Sequence, residues 1–192
     1  GALYEGVYVT DGGSRPLKSG LLRSTDGGRS WEYVGDVTGF DAGTNEIGVV
    51  FVGGALLALL RDGGSTATYA RRSPDGGVTW GPLRDVTDSL GVLQRPRPYT
   101  AAALGGGRDG WLYVVGRHVV PDRSQHTAVA VSPDGGESWH GPVDLDVDAD
   151  NGYCDLLARS DGEHCLVTYG GPTHSNADLR RYRLGDYSTY SE

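Results

Sequence analysis

The chain contains no methionine, and Lys18 is the single lysine among its 17 basic residues. Without an initiator methionine, the sequence is expected to be a processed product or a portion of a longer protein. No segment concentrates lysine or arginine, and the formal net charge is −8. Proteins bind duplex nucleic acid through clustered positive charge, so we expect no nucleic-acid partner.

The sequence also lacks a long apolar run. A membrane-spanning helix needs about 18 or more apolar residues in succession, and none is present. The most apolar stretch, Ile47 to Leu60, is interrupted by Gly53 and Gly54 and is interpreted as two strands. We therefore expect no membrane partner.

Only two cysteines are present, which is too few for a disulfide framework. They lie in two segments that a turn at residues 161–162 would join as a hairpin. That turn predicts Cys154 opposite Tyr169 and Cys165 opposite Ala158. At the rise of a β-strand, roughly 3.3 Å per residue, the two thiols would lie too far apart for a disulfide.

Glycine is abundant: 32 glycines and 9 prolines accompany only 22% charged residues. Such a balance is typical of many short strands joined by tight turns rather than of helices. One pattern, S-x-D-G-G-x-[ST]-W, occurs three times. The copies are Ser24–Trp31, Ser73–Trp80 and Ser132–Trp139.

The repeated pattern predicts a hairpin turn. Its Asp can accept hydrogen bonds from backbone N–H groups within the turn, and its glycines supply the positive φ angles that a tight hairpin needs. The Trp then begins the next strand and can pack between neighbouring sheets.

The pattern is similar to the Asp box, and the chain resembles the Asp-box (BNR-repeat) propellers of the sialidase, or neuraminidase, superfamily. The resemblance implies an all-β fold, a six-bladed sialidase-type β-propeller, of which this chain covers about four blades. Each box would join the third and fourth strands of a blade. A single partial propeller domain, residues 1–192, is expected to have blades near 1–40, 41–90, 91–148 and 149–192.

Details of these blades follow from the segments around the boxes. The first blade lacks a clear opening strand, and the third is expected to open with a strand from Pro98 to Leu104. No helix longer than about two turns is expected in a chain of this kind. In the family the boxes are structural turns on the outer rim, so Asp26, Asp75 and Asp134 are expected to be structural.

The resemblance also implies where an active site would lie, namely near the propeller axis at the end of the strands opposite the boxes. In sialidases three arginines bind the substrate carboxylate, a Tyr is the nucleophile, a Glu takes its proton and an Asp is the acid. A phenol suits an anomeric carbon that bears a carboxylate, because it approaches uncharged. Its pKa of about 10 then requires a neighbouring base.

Four residues match the family's pattern in order and in the expected blades. The resemblance implies that Tyr153 and Glu46 are catalytic and that Arg61 and Arg123 bind substrate. Glu46 opens one strand and Arg61 closes the next, so the hairpin should bring them together. Arg117 is an alternative to Arg123, and each residue could instead be an exposed or packing side chain.

Two parts of the family's site have no counterpart. No arginine stands in a Phe/Tyr-Arg-x-Pro setting, because Arg15-Pro16 and the segment 95–98 do not fit it. The acid Asp that follows that motif in the family is also missing.

Four alternating aspartates resemble a calcium loop: Asp144, Asp146, Asp148 and Asp150. With Asp146 as the first position, Asn151 stands where the loop needs Gly and Leu157 where it needs Glu. A solvated acidic turn is therefore favoured. The five histidines show no metal-ligand spacing, so no metal or other cofactor is expected.

The sequence thus favours a sialidase-like, retaining exo-glycoside hydrolase, or its C-terminal blades, acting on a sialoside or another glycan. The alternative is a non-catalytic Asp-box propeller that binds glycans or protein, and whether the chain is an enzyme stays open. A secreted or extracellular location is favoured. Open blades expose strand edges, so a companion chain or self-association that completes the propeller is expected.

Overall fold

A computed structural model describes residues 1–9, 18–39, 43–64, 66–100, 111–120, 125–146, 154–158, 164–169 and 177–182. Within these ranges lie fourteen strands and one helix of a single turn, α1 (Thr87–Leu90). The strands are β1 (Leu3–Val9), β2 (Lys18–Ser24), β3 (Glu32–Asp36), β4 (Thr44–Val52), β5 (Ala55–Asp62), β6 (Thr68–Ser73), β7 (Arg84–Asp85), β8 (Leu93–Thr100), β9 (Leu112–Val119), β10 (Gln125–Ser132), β11 (His140–Asp146), β12 (Cys154–Ala158), β13 (His164–Tyr169) and β14 (Ala177–Tyr182).

The strands form four antiparallel sheets that follow one another along the chain. Sheet 1 is β1-β2-β3, sheet 2 is β4-β5-β6-β7, sheet 3 is β8-β9-β10-β11 and sheet 4 is β12-β13-β14. The all-β fold class is therefore confirmed. No helix in the described ranges is long and apolar enough to cross a membrane.

Each copy of the repeat is a hairpin whose Asp binds the turn. In the first box, Oδ1 of Asp26 accepts hydrogen bonds from the Ser30 N–H and the Ser24 hydroxyl, both at 2.9 Å, and Oδ2 accepts from the Ser30 hydroxyl at 2.6 Å. The other two boxes repeat these contacts. Two glycines in each box have positive φ angles, 75° and 87° for Gly27 and Gly28.

The boxes join β2 to β3, β6 to β7 and β10 to β11. In sheets 2 and 3 each box therefore follows the third strand, and in sheet 1 it follows the second. β1 corresponds to β5 and β9, the second strands of their sheets. Sheet 1 thus has no strand at the position that β4 and β8 hold, as far as the described residues show.

Sheet 2 is covered on both faces. Alternate residues of β5 enter two separate apolar clusters, because side chains alternate between the faces of a strand. Leu56, Ala58 and Leu60 pack with Leu21 and Val37 of sheet 1, whereas Leu57 and Leu59 pack with Leu112, Val114 and Trp139 of sheet 3. Burial on both sides explains why the segment 55–60 is continuously apolar.

The boxes of sheets 2 and 3 press against the preceding sheet. A Cβ placed on Gly77 would lie 2.2 Å from Cδ2 of Leu21, and one on Gly136 would lie 2.6 Å from Cδ2 of Leu57. A box glycine therefore serves the packing between sheets as well as the turn.

The first strands of sheets 2 and 3 also approach each other closely. A Cβ on Gly48 in β4 would lie 2.0 Å from the carbonyl oxygen of Pro96 in β8. Glycine is required there because the backbone of one strand contacts the backbone of the next.

Two sequence-based details were wrong. The opening strand of sheet 3 begins at Leu93 rather than at Pro98, and residues 101–104 of the expected strand lie outside the described residues. β8 contains Pro96 and Pro98, which an edge strand tolerates because one of its edges needs no N–H donor.

The second error concerns the C-terminal hairpin, where Cys154 pairs with Thr168 and Cys165 with Leu157, one residue from the expected register. The last pair of the ladder is Ala158 with His164. Five residues therefore join the strands, where a two-residue turn was expected. The cysteines remain three positions apart along the ladder, roughly 10 Å at strand rise, so the prediction of unbonded thiols stands.

Candidate functional site

Glu46 and Arg61 lie at the end of sheet 2 opposite its Asp box. The box begins at Ser73, the last residue of β6, whereas Arg61 pairs with Thr68 at the start of that strand. The structure brings the two side chains together: Nη1 of Arg61 lies 2.8 Å from Oε2 of Glu46. The side chains are 17% and 11% exposed, respectively, so the ion pair is largely shielded from water.

A bulge in β4 aims Glu46 at Arg61. The ladder between β4 and β5 pairs Thr44 with Asp62 and then Ile47 with Leu60, so two residues of β4 stand opposite the single residue Arg61. A bulge of this kind redirects a side chain, which places the Glu46 carboxylate at the guanidinium.

Buried hydroxyl groups hold the bulge in place. The Ser19 hydroxyl donates to the carbonyl oxygen of Asn45 at 3.0 Å and lies 3.2 Å from the Thr44 hydroxyl. The Thr38 hydroxyl bonds that of Thr44 and accepts from the Ser19 N–H at 3.2 Å. The Glu46 N–H donates to Oδ1 of Asn45 at 2.6 Å. Sheet 1 therefore positions the backbone that carries Glu46.

Sheet 3 repeats this arrangement with Arg117. Arg117 pairs with Thr127, five residues before the box residue Ser132, as Arg61 pairs with Thr68, five residues before Ser73. The Arg117 guanidinium donates to Oε1 of Gln94, which stands opposite it on β8. An arginine held by an acceptor on the first strand thus occurs at the same place in two successive sheets.

A cavity of about 230 Å³ adjoins Glu46. It lies between β1 on one side and β4 and β8 on the other, and Glu5, Tyr8, Ile47 and Arg97 also line it. Nη1 of Arg97 lies 3.6 Å from Oε1 of Glu5 across this space. The cavity is therefore polar and carries charges of both signs.

Besides Arg117 and Gln94, two histidines and an aspartate form a polar cluster at the end of sheet 3 opposite its box. Nδ1 of His118 lies 2.9 Å from Oδ1 of Asp144, and Nδ1 of His126 lies 2.7 Å from Oδ2. Burial raises the pKa of Asp144, but hydrogen bonds from His126 and His118 together outweigh it, and the net shift is downward. This member of the acidic segment is thus bound by histidines, while Asp148 and Asp150 lie outside the described residues.

The other two predicted site residues, Tyr153 and Arg123, also lie outside the described residues. The neighbouring strands are described: β12 begins at the residue after Tyr153, and β10 begins two residues after Arg123. The sequence named Arg117 only as an alternative to Arg123. The signal that gives Arg117 the position of Arg61 in the next sheet is the five-residue spacing from the facing Thr to the first Ser of the box in both sheets.

Comparison with solved structures shows the same fold. The Hadza microbial sialidase Hz136 superposes with a TM-score of 0.71 at 19% identity, covering 95% of this chain and 42% of that one. The Trypanosoma rangeli sialidase in complex with the inhibitor DANA gives 0.69 at 18% identity, covering 96% and 30%. At such identities the likeness concerns the fold, and it confirms a partial sialidase-type propeller.

Sequence comparison finds a relative that is not named as a sialidase. The vacuolar protein sorting/targeting protein 10 of Phaeosphaeria nodorum is 31% identical over 87 residues, which is 45% of this chain and 6% of that protein. The chain therefore spans less than half the length of each of these proteins. The BNR repeat-like domain matches residues 7–167, and the chain, with its three Asp-box hairpins, belongs to that family.

Proposed function

We propose that the chain is part of a sialidase-like, retaining exo-glycoside hydrolase, with Tyr153 as nucleophile and Glu46 as its base. The observation that carries this proposal is the shielded Glu46–Arg61 pair at the end opposite the boxes, beside an open polar cavity. The bulge of β4 and the buried hydroxyl groups of Ser19 and Thr44 fix where this pair stands.

The proposed chemistry assigns each residue a distinct task. The Tyr153 hydroxyl would attack the anomeric carbon while its proton passes to the Glu46 carboxylate. The bond from that carbon to the aglycone oxygen would break as an acid outside this sequence protonates the oxygen. Water would then attack the same carbon and lose a proton to that group, while the Tyr153 oxygen departs and regains its proton from Glu46, so that the sugar keeps its original configuration. Arg61 would hold the Glu46 carboxylate in position, with Nη1 of Arg61 2.8 Å from Oε2 of Glu46.

Binding of the substrate carboxylate would fall to the arginines. A guanidinium presents its donors in a planar fork that suits a carboxylate. Arg61 and Arg123 are the proposed pair, and the register supports Arg117 as a further member, because it holds the place of Arg61 in the next sheet.

Catalysis would need groups that the sequence does not contain. A Phe/Tyr-Arg-x-Pro motif and a following Asp are missing from it. We therefore expect residues 1–192 to bind a sialic acid analogue weakly and to turn over a sialoside very slowly. A longer form that includes such a segment is expected to restore turnover.

Binding and turnover can be tested separately. DANA binding to this chain, followed by NMR, should be weakened by Arg61→Ala and unchanged by Arg23→Ala, which removes an arginine next to the Asp box of sheet 1. In an active longer form, Tyr153→Phe or Glu46→Gln should lower kcat by about 10² to 10⁴, whereas Glu32→Gln should not. Full activity of the Tyr153→Phe form would exclude Tyr153 as the nucleophile.

A non-catalytic binding propeller is the second candidate. The observation in its favour is the relative whose name describes sorting and targeting. On this reading the chain binds a glycan or protein ligand, and the ligand leaves unchanged. If a longer form binds DANA but turns over no aryl glycoside, the binding propeller is favoured over the hydrolase. Turnover of an aryl glycoside of a different sugar would indicate a sialidase-like enzyme of other specificity.

A further inference from the structure

We infer that Gln94 is a specificity-determining residue: it orients Arg117 through an uncharged acceptor, so that this contact offsets none of the charge that would attract an anionic ligand. The inference rests on the proposed function, in which Arg117 takes part in binding a carboxylate. The Arg117 guanidinium donates to Oε1 of Gln94, and the two residues stand opposite each other on β9 and β8. Gln94 is only 4% exposed, so its amide is shielded from water.

Gln94 and Glu46 hold matched places in successive sheets. Glu46 accepts from Arg61 at the start of sheet 2, as Gln94 accepts from Arg117 at the start of sheet 3. Each arginine faces a threonine that lies five residues before the first serine of its box. The two places therefore differ in the acceptor, which is a carboxylate in one sheet and an amide in the other.

The backbone ahead of Gln94 is fixed by a buried hydroxyl group. The Thr68 hydroxyl donates to the carbonyl oxygen of Gly91 and accepts from the Leu93 N–H, both at 2.8 Å. Ser19 of sheet 1 makes the corresponding contact with the bulge of β4. Because a hydroxyl of the preceding sheet holds the backbone in both cases, the placement of the two acceptors does not explain their difference in charge.

The charge of the acceptor decides what each arginine can do for a ligand. A guanidinium has donors and no acceptor, so the facing strand must present an oxygen. A carboxylate would bond it more strongly than an amide, and sheet 2 shows that this place admits a carboxylate. The Glu46 carboxylate offsets the charge of Arg61 and can take a proton, whereas the Gln94 amide orients Arg117 and offsets none of its charge. Sheet 3 thus presents a guanidinium suited to an anion, and sheet 2 presents a base.

The test gives Arg117 the kind of acceptor that Arg61 has. Gln94→Glu keeps the shape of the side chain and adds one negative charge. We expect DANA, which carries a carboxylate, to bind this variant about tenfold or more weakly, because the new charge opposes it at close range. The methyl ester of DANA lacks that charge, and its affinity should be nearly unchanged. NMR titration of the chain measures both affinities, and their ratio reports the preference for the anion.

Two controls separate charge from structure. Thr25→Glu adds the same charge at an exposed position of the first Asp box and should leave both affinities unchanged. Gln94→Met removes the acceptor of Arg117 without adding charge, so it should lower both affinities through lost orientation and keep their ratio. If Gln94→Met lowers the ratio as much as Gln94→Glu does, charge is not the cause and the inference is wrong.

The remaining outcomes distinguish this inference from the proposed function. An unchanged ratio in Gln94→Glu would overturn the inference alone, because anion binding would then not depend on the acceptor of Arg117. If the unaltered chain does not prefer DANA to its methyl ester, the proposed function fails and the inference fails with it. A fall in the ratio that is confined to Gln94→Glu, with unfolding in urea showing a folded variant, is the result expected.

Discussion

Substitution of Gly77 by Ala isolates the energetic role of the contact between a box and the preceding sheet. Gly77 has φ of 95°, and an added Cβ would lie 2.2 Å from Cδ2 of Leu21, a side chain with no exposed surface. Gly28 occupies the same place in the first box, with φ of 87°, but a Cβ there would have no neighbour nearer than 3.7 Å. The two variants thus share the backbone strain and differ in the collision.

The expected magnitudes follow from these two contributions. A left-handed conformation costs a residue other than glycine about 1 to 2 kcal/mol, and the free energy of unfolding of both variants should fall by this amount. Overpacking of a buried site costs about 1 to 3 kcal/mol more, and this further loss of stability is expected only for Gly77→Ala. We therefore expect its free energy of unfolding to fall below that of Gly28→Ala by about 1 to 3 kcal/mol.

Urea unfolding followed by Trp fluorescence measures both changes. A double-mutant cycle with Leu21→Ala provides the control, because removing the colliding methyl groups should recover part of the loss in Gly77→Ala and none in Gly28→Ala. Equal destabilisation by the two glycine substitutions would refute the reasoning, since strain alone would then explain both.

Three further predictions concern the boxes and the site. The Thr79 hydroxyl and backbone N–H lower the pKa of Asp75 from 3.8 to about 2. The ionised Asp75 carboxylate therefore stabilises the folded chain fully above pH 3.8, and this stabilisation is lost as the pH falls through about 2. Asp75→Asn should accordingly lower the melting temperature more at about pH 7 than at about pH 2. Ser19→Ala leaves buried partners of the bulge without their hydrogen bond, so its free energy of unfolding in urea should fall by about 1 to 3 kcal/mol. DANA binding should weaken as well, whereas Ser30→Ala, at an exposed position, should not affect it. Arg117→Ala should weaken DANA binding as Arg61→Ala does, and undiminished binding would remove Arg117 from the proposed site.

The sequence was sufficient for the architecture because the box is a local structure. All its hydrogen bonds to Asp26 arise within a few residues, so the pattern of Ser, Asp and glycines determines the turn without help from the rest of the chain. Three such turns identify where strands end, and glycine pairs such as Gly53-Gly54 mark the other hairpins. The closeness of Glu46 and Arg61 followed from the same kind of local argument.

Other features depend on pairing that the sequence does not reveal. A strand beginning at Pro98 was expected, yet β8 begins at Leu93 and contains both Pro96 and Pro98 at an edge of the sheet. The expected register of the C-terminal hairpin is off by one residue, because Cys154 pairs with Thr168 and Cys165 with Leu157, which a two-residue turn at 161–162 does not allow. The equivalence of Arg61 and Arg117 depends on the register across two ladders, and loops of unequal length conceal it in the linear sequence.

Tyr8, Arg61 and Arg117 each face a residue five positions before the first serine of an Asp box. These matched positions have a consequence for how such a protein could change its ligand. Each stands at one place on a rigid ladder, and adjacent sheets stack about 10 Å apart, so side chains of ordinary length can converge on one small molecule from fixed origins. Under the proposed function, exchanging a phenol for a guanidinium at one of these places would alter which ligand groups are recognised without moving any strand. Preference for a new sugar would then require single substitutions at a few fixed coordinates, while the turns at the far end of the sheets stay as they are.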